Sequence, residues 1–291
     1  MAQDSEKRSI LVTSALPYAN ASLHLGHILE HTQTDIWVRF QKLYGNECIY
    51  VCADDAHGTP IMLRAEELSM SPEELIEMIY KEHKSTFEDF NISHDNYHST
   101  HSSENQILSE RIYKSLHAKG LIEKKVINQL FDTSRNMFLS DRYVKGSCPN
   151  CGAEDQYGDN CEKCSATYNA IDLKDPISVL TGTEPIIKES EHLFFKLSLL
   201  KDEINRWLDS SKIQEPVRNK LKEWLDADLK DWDISRDGPY FGFKIPGYDD
   251  KYFYVWLDAP IGYLASHLNY LIKQDREIDF ESFWKKDSAL E

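Results

Sequence analysis

Two histidines three residues apart, His24 and His27, sit in the stretch "ALPYANASLHLGH" with Gly26 between them. The apolar run "SILVTSA" precedes this stretch and helical spacing follows it. The pair therefore falls at a strand-to-helix turn. Open parallel sheets bind ligands at the carboxyl ends of their strands. The following helix offers free N–H groups and the positive end of its dipole, which together suit an anion. Two imidazoles can add hydrogen bonds to phosphate oxygens that strengthen as charge develops. That is electrostatic stabilisation of a transition state, not base catalysis. Gly26 has no side chain, so a flat base or ribose could lie against the backbone there.

A second group with chemistry is Cys148, Cys151, Cys161 and Cys164, spaced C-x2-C-x9-C-x2-C. Two CxxC turns can close four thiolates around one tetrahedral Zn²⁺ and leave no open position, so the expected metal is structural. "CPNC" alone could be a redox pair. The second CxxC and the lack of an adjoining βαβ pattern argue against that. Cys48 and Cys52 lie in an apolar strand candidate and read as buried packing thiols.

The elements that would position these groups alternate. Residues 9–15 read as a strand. Leu25, Ile28, Leu29, Ile36, Trp37, Phe40 and Leu43 follow at helical spacing, with Gly45 just past the end. "CIYVCA" is strand-like and runs into the turn-like "DDAHGTP". Ser71, Pro72 and Glu74 open a helix as N-cap, first residue and capping-box partner. "DNYHSTH" reads as a strand, and a helix follows, with Ser103 and Gln106 as its capping pair and Gly120 as its stop. This order predicts an α/β fold with a doubly wound parallel sheet. From residue 121 to 195 the pattern breaks into short β-like pieces. Helical patterns return at 197–211 and 216–229, and "WDISRD" and "KYFYVWLDAPIGYLASHLNYL" then read as strands and a helix. The reading is a Rossmann-type domain (1–118 and 233–291) interrupted by an insertion (119–232).

Composition sets limits on partners. The chain has 291 residues, 41% apolar and 28% charged, with a net charge of −16. That balance argues against nonspecific binding to a nucleic-acid backbone. The apolar runs are too short to span a bilayer, and "MAQDSEKRS" has no apolar signal region. A cytoplasmic protein without membrane attachment is expected.

"LPYANASLHLGH" resembles the HIGH signature of class I aminoacyl-tRNA synthetases, with leucine in second position. "ALPYANAS" is similar to the form in methionyl-tRNA synthetases. "CADDAHGTP", "DNYHSTH", "GDNCEKC", "WDISRD" and "YVWLDAPIGY" resemble that family in the same order. The resemblance implies condensation of methionine with ATP, carried with Mg²⁺, to methionyl-adenylate, and transfer to tRNA(Met). It assigns the phosphates to His24 and His27, close approach of adenosine to Gly26, and the reacting groups to Arg236, whose guanidinium fork suits phosphate. It assigns the methionine ammonium to Asp55. Strand alternation points Asp54 the other way, where turn capping is expected. Leu16, Tyr18, Trp256, Pro260 and Tyr263 are implied to form an apolar, aromatic pocket for the thioether. Without the resemblance, "KYFYVWL" reads as a core strand. Some family members carry a second zinc knuckle. "DPISVLTGTEP" has no cysteine, so one zinc is expected.

The family's KMSKS loop and anticodon-binding domain have no counterpart here. The sequence reads as the N-terminal part of a longer enzyme, poorly active alone, with tRNA binding weak or absent. Two other readings stay open: another class I synthetase, such as one for cysteine or leucine, and a non-enzymatic zinc-containing remnant. No G-x-G-x-x-G follows a strand, which argues against a dehydrogenase.

Overall fold

The structure is a computed structural model describing residues 7–210, 213–227, 229–285 and 288. The chain forms two compact units. The first comprises Met1–Lys114, Tyr240–Pro246 and Phe253–Glu291, the second Ser115–Pro239 and Gly247–Tyr252.

The first unit is α/β. It runs β1 (Ser9–Thr13), α1 (Leu25–Leu43), β2 (Glu47–Asp54), α2 (Thr59–Glu67), α3 (Pro72–Asp89), β3 (Asn96–Ser99) and the start of α4 (Ser103–Ala118). The three strands form a parallel sheet in the order β1-β2-β3, with Ile10 opposite Cys48 and Cys52 opposite Tyr97. β2 is buried from Cys48 to Asp54, as expected of a parallel strand covered on both faces. Ile10, Cys48, Tyr50, Cys52 and Tyr97 pack with Ile28 and Val38 of α1 and Phe87 of α3. α3 begins as its sequence requires, with Ser71 Oγ accepting from Glu74 N–H and Glu74 reaching back to Ser71 N–H. At α4 the cap lies one residue earlier than expected: Ser102 Oγ, not Ser103, accepts from Asn105 N–H at 3.4 Å.

α1 has the expected limits, but most of its apolar positions face outward. Its buried positions are Ile28, His31, Asp35, Val38 and Gln41. Leu25, Leu29, Ile36, Trp37, Phe40 and Leu43 are exposed. The inward polar groups have partners. Asp35 binds Arg39 Nε at 2.5 Å and Ser93 N–H at 3.0 Å, and Gln41 accepts from Asn46 at 2.6 Å. Satisfied polar groups can be buried at little cost, so hydrophobic spacing alone does not decide which face turns inward.

The second unit begins within α4 and continues through β4 (Ile122–Asp132), β5 (Met137–Phe138), β6 (Val144–Ser147), β7 (Gln156–Tyr157), β8 (Lys174–Ser178) and β9 (Ile186–Phe195). α5 (Lys201–Ser210), α6 (Glu215–Asp226), β10 (Trp232–Asp233) and β11 (Ser235–Asp237) follow. Its sheets are antiparallel, in the orders β10-β9-β4-β5 and β7-β6-β8. The helix expected at 197–211 opens as a 3-10 turn over Leu197–Leu200, and residue 211 lies outside the described residues, as does residue 228 near the other expected end.

β12 (Lys251–Phe253) pairs with β11. The chain re-enters the first unit as α7 (Val255–Lys273), followed by α8 (Phe280–Phe283). The strand expected over "KYFYVWL" thus stops at Phe253, and Trp256 is helical. Tyr240 Oη accepts from Val255 N–H at 3.0 Å and caps the helix start. α7 lies on the sheet, where Ser266 Oγ donates to Cys52 O at 2.8 Å. A Cβ at Gly262 would meet Thr100 Cγ2 at 2.7 Å, so only glycine permits this approach. Among the described residues no helix is long and apolar enough to cross a membrane.

Candidate functional site

The loop after β1 turns alongside the carboxyl end of β2. Asp55 N–H donates to Pro17 O and Ala19 N–H donates to Asp55 O, both at 2.8 Å. A parallel bridge between Tyr18 and Asp55 results, which holds Asp55 beside this loop. Asp55 Oδ1 is buried without a hydrogen-bond partner. Burial, and then the neighbouring Asp258 charge, raise the Asp55 carboxyl well above the usual carboxylate range. A buried carboxylate oxygen left unpaired is costly, and a cationic donor placed there would relieve that cost.

Asp258, in the first turn of α7, is also buried and also has an unpaired oxygen, Oδ1. Its other oxygen accepts from His57 Nδ1, and His57 Nε2 meets His101 Nδ1 at 2.9 Å. Tyr18 Oη donates to His57 O at 2.9 Å. The Leu16 backbone hydrogen-bonds to Tyr263, whose phenol burial raises. Leu16, Tyr18, Asp55 and Tyr263 are thus gathered at one end of the sheet. Trp256 and Pro260 stand about two turns and one turn before Tyr263 on α7. Both are exposed, Trp256 by 66%. Pro260 lacks the N–H that would close on the Trp256 carbonyl, so that carbonyl loses its helical partner.

His24 and His27 cap α1 reciprocally. His24 Nδ1 accepts from Gly26 N–H at 3.0 Å, and His27 Nδ1 accepts from His24 N–H at 3.3 Å. The rings stack at 3.8 Å. Accepting at Nδ1 puts the proton of a neutral imidazole on Nε2. Burial, and then the neighbouring His24, lower the His27 pKa and favour that neutral form. Each ring therefore has an Nε2–H donor remaining at a helix N-terminus. Gly26 has a use that its sequence position does not reveal. A Cβ there would lie 2.8 Å from His24 Cε1. The bare backbone makes room for the His24 ring.

Asp54 is not a turn cap. It is buried, and accepts from Tyr97 Oη and from His83 Nδ1 at 2.7 Å. His83 Nε2 donates to Ala21 O at 2.9 Å, so α3 is tied to the loop that leads into His24. Two donations require an imidazolium. Burial opposes the charge, but the Asp54 hydrogen bond and carboxylate outweigh it and raise the His83 pKa. Sequence reasoning missed His83, His57, His101 and Asp258, because no local pattern marks them. It also missed a buried cluster of His31, Cys52 and His94, with His31 Nδ1 3.1 Å from His94 Nε2. Burial lowers these histidines to about 4 and about 3, so both are neutral.

Arg236 and the four-cysteine group lie in the second unit. Arg236 Nη1 donates to Asp233 Oδ2 at 3.1 Å and to Ser235 O at 2.6 Å. The Sγ atoms of Cys148, Cys151, Cys161 and Cys164 lie within 4.8 Å of one another, with Cys148–Cys164 at 3.8 Å and Cys151–Cys161 at 3.6 Å. Bonds of about 2.3 Å to a tetrahedral ion put sulfurs roughly 3.8 Å apart. The Cys151 and Cys164 N–H groups donate back to Cys148 and Cys161 Sγ, at 3.5 and 3.4 Å. This group could hold a metal ion, and Cys48 and Cys52 are buried apart from it.

A family model described as "tRNA synthetases class I (M)" matches residues 10–291. Two solved structures of methionyl-tRNA synthetase from Mycobacterium tuberculosis share the fold. One is bound by methionyl-adenylate, with a TM-score of 0.71, 23% identity and coverage of 96% of this chain and 50% of that one. The other, in complex with methionyl-adenylate, has a TM-score of 0.69 at the same identity and coverage. The chain thus spans half the length of the proteins it matches.

Proposed function

The chain belongs to the class I tRNA synthetases, and from that premise we propose that it carries the methionine-activating site of a methionine–tRNA ligase. The observation that carries the reading is Asp55. Its buried, unpaired oxygen stands at a strand carboxyl end, on the backbone bridge to Tyr18. There it accepts the methionine ammonium, which orients the carboxylate toward ATP. Leu16, Tyr18, Trp256, Pro260 and Tyr263 enclose the thioether side chain. The methionine carboxylate attacks the α-phosphorus, the bond to the bridging oxygen of pyrophosphate breaks, and methionyl-adenylate forms. The protein contributes orientation and charge. His24 and His27 hold phosphate oxygens through Nε2–H, and Arg236 meets the reacting groups. ATP comes with Mg²⁺ as substrate.

In the second unit, Cys148, Cys151, Cys161 and Cys164 hold one structural Zn²⁺, which cross-links two turns and takes no part in the reaction. We assign to the same reading the passage of the methionyl group from the adenylate to tRNA(Met), in the cytoplasm. Methionine-dependent ATP–pyrophosphate exchange tests the reading. Asp55→Ala should abolish exchange while circular dichroism stays unchanged. Exchange that persists with an unaltered methionine KM would refute it.

A further inference from the structure

In the second unit, His192 is fully buried and both of its ring nitrogens face carboxylates. Nδ1 donates to Asp233 Oδ2 at 2.7 Å and Nε2 to Asp237 Oδ2 at 3.0 Å. Carboxylates only accept, so the ring carries both protons and is an imidazolium. The oxygen it shares with Arg236 is Asp233 Oδ2. Lys251 Nζ binds Asp237 and also donates to Ser190 Oγ at 2.9 Å, and Ser190 Oγ donates to Asp237 Oδ2 at 2.7 Å. His192 and Lys251 offset Asp233 and Asp237, and Arg236 is a second cation on the Asp233 oxygen that His192 binds.

We propose that His192 is the positioning residue for Arg236: by sharing Asp233 with the guanidinium, it limits how strongly that carboxylate holds Arg236 back from an anionic ligand. The proposal rests on the assignment of Arg236 to the reacting groups. Burial pulls the His192 pKa down, but hydrogen bonds and charge from Asp233 and Asp237 outweigh it and leave it raised. Burial likewise pushes Asp237 up, and its bonds to His192, Lys251 and Ser190 bring it down to about 2. Lys125, paired in register with His192 on β4, binds Asp231 at 3.0 Å and Glu123 at 3.4 Å. Asp141 also interacts with the Arg236 charge. When His192 loses its proton, one carboxylate faces a lone pair, and Arg236 becomes the main counter-charge of Asp233. The anion-directed action of Arg236 should therefore weaken as pH rises through the His192 pKa.

Nitrogen-15 NMR of the whole chain tests this without requiring activity. The His192 ring should titrate above the ordinary histidine value, and the Arg236 Nε–H signal should move with the same midpoint. Asp237→Asn removes one partner of the ring and should lower both midpoints together. An Arg236 signal that ignores the His192 titration overturns the proposal. In pyrophosphate exchange, His192→Gln should lower kcat about tenfold with the methionine KM unchanged. In an Arg236→Ala background the same change should add nothing. Losses that simply multiply overturn the coupling. A full rate in Arg236→Ala alone would instead refute the assignment of Arg236, and the NMR result would still decide the coupling.

Discussion

Gly26→Ala should separate the stability of α1 from its chemistry. The new Cβ would lie 2.8 Å from His24 Cε1 and 3.0 Å from His24 Nδ1, too close for either ring atom. The ring must swing away, losing the Gly26 N–H bond and the stack on His27. Loss of an N-cap costs about 1 kcal/mol. Alanine in place of a helical glycine returns up to about 1 kcal/mol. The two nearly cancel, so the melting temperature should move by no more than a few degrees, about 2–4 °C per kcal/mol in a unit of this size. The rate has no such compensation. Displacing one transition-state donor typically costs on the order of 100-fold. The assay pairs thermal melting with pyrophosphate exchange at saturating methionine and ATP. His24→Asn is the control, because asparagine caps well but has no Nε2–H at that place. Both variants should melt near the parent and exchange far more slowly. A parental rate in Gly26→Ala would mean that the His24 ring does not act where this structure holds it.

Four further outcomes follow from the same geometry. Asp55→Asn should weaken methionine binding by on the order of 100-fold, about 3 kcal/mol for a buried charge deprived of its partner, and unchanged affinity by calorimetry would exclude the role. Because the Asp55 carboxyl sits well above its usual range, methionine affinity should fall with decreasing pH from a correspondingly high point, since only the ionised form attracts the ammonium. Elemental analysis should give one zinc per chain and less after Cys→Ser at 148, 151, 161 or 164; native protein without metal, or with disulfides there, rejects the site. His83 has a raised folded pKa, so its stabilisation is fully present below the ordinary histidine value and is lost as pH rises through the folded one. His83→Leu should cost about 3–5 kcal/mol by urea unfolding at low pH and less at high pH, and a pH-independent loss would contradict the ion pair.

Local signals were legible. The limits of α1, the capping box of α3 and the double CxxC each depend on residues within a few positions of one another. The α/β alternation follows from them. What could not be read depends on distant partners. His31, Asp35 and Gln41 face inward because Ala15, His94, Ser93 and Asn46 satisfy them, and no periodicity records that. Asp54 finds His83 and Tyr97, and Asp258 finds His57 from 201 positions away. The run "KYFYVWL" mixes a strand end with a helix start. Its aromatic residues suit either, and the Tyr240 hydroxyl at the start of α7 belongs to a different segment. Of the candidate site, residue types and spacing pointed to the two histidines and the glycine, and the family resemblance to Asp55. The reasons for their orientation became visible only in three dimensions.

The reciprocal cap of α1 also has a thermal consequence. A helix is least secure in its first turn, where backbone amides lack partners within the helix. Here the two rings supply those partners, so they keep their orientation only while that turn is closed. Opening the turn needs no global unfolding, and each opening releases both rings together. Heating should therefore slow the reaction before the fold melts, and cooling should restore it fully. Amide exchange at Gly26 and His27 would report the same opening.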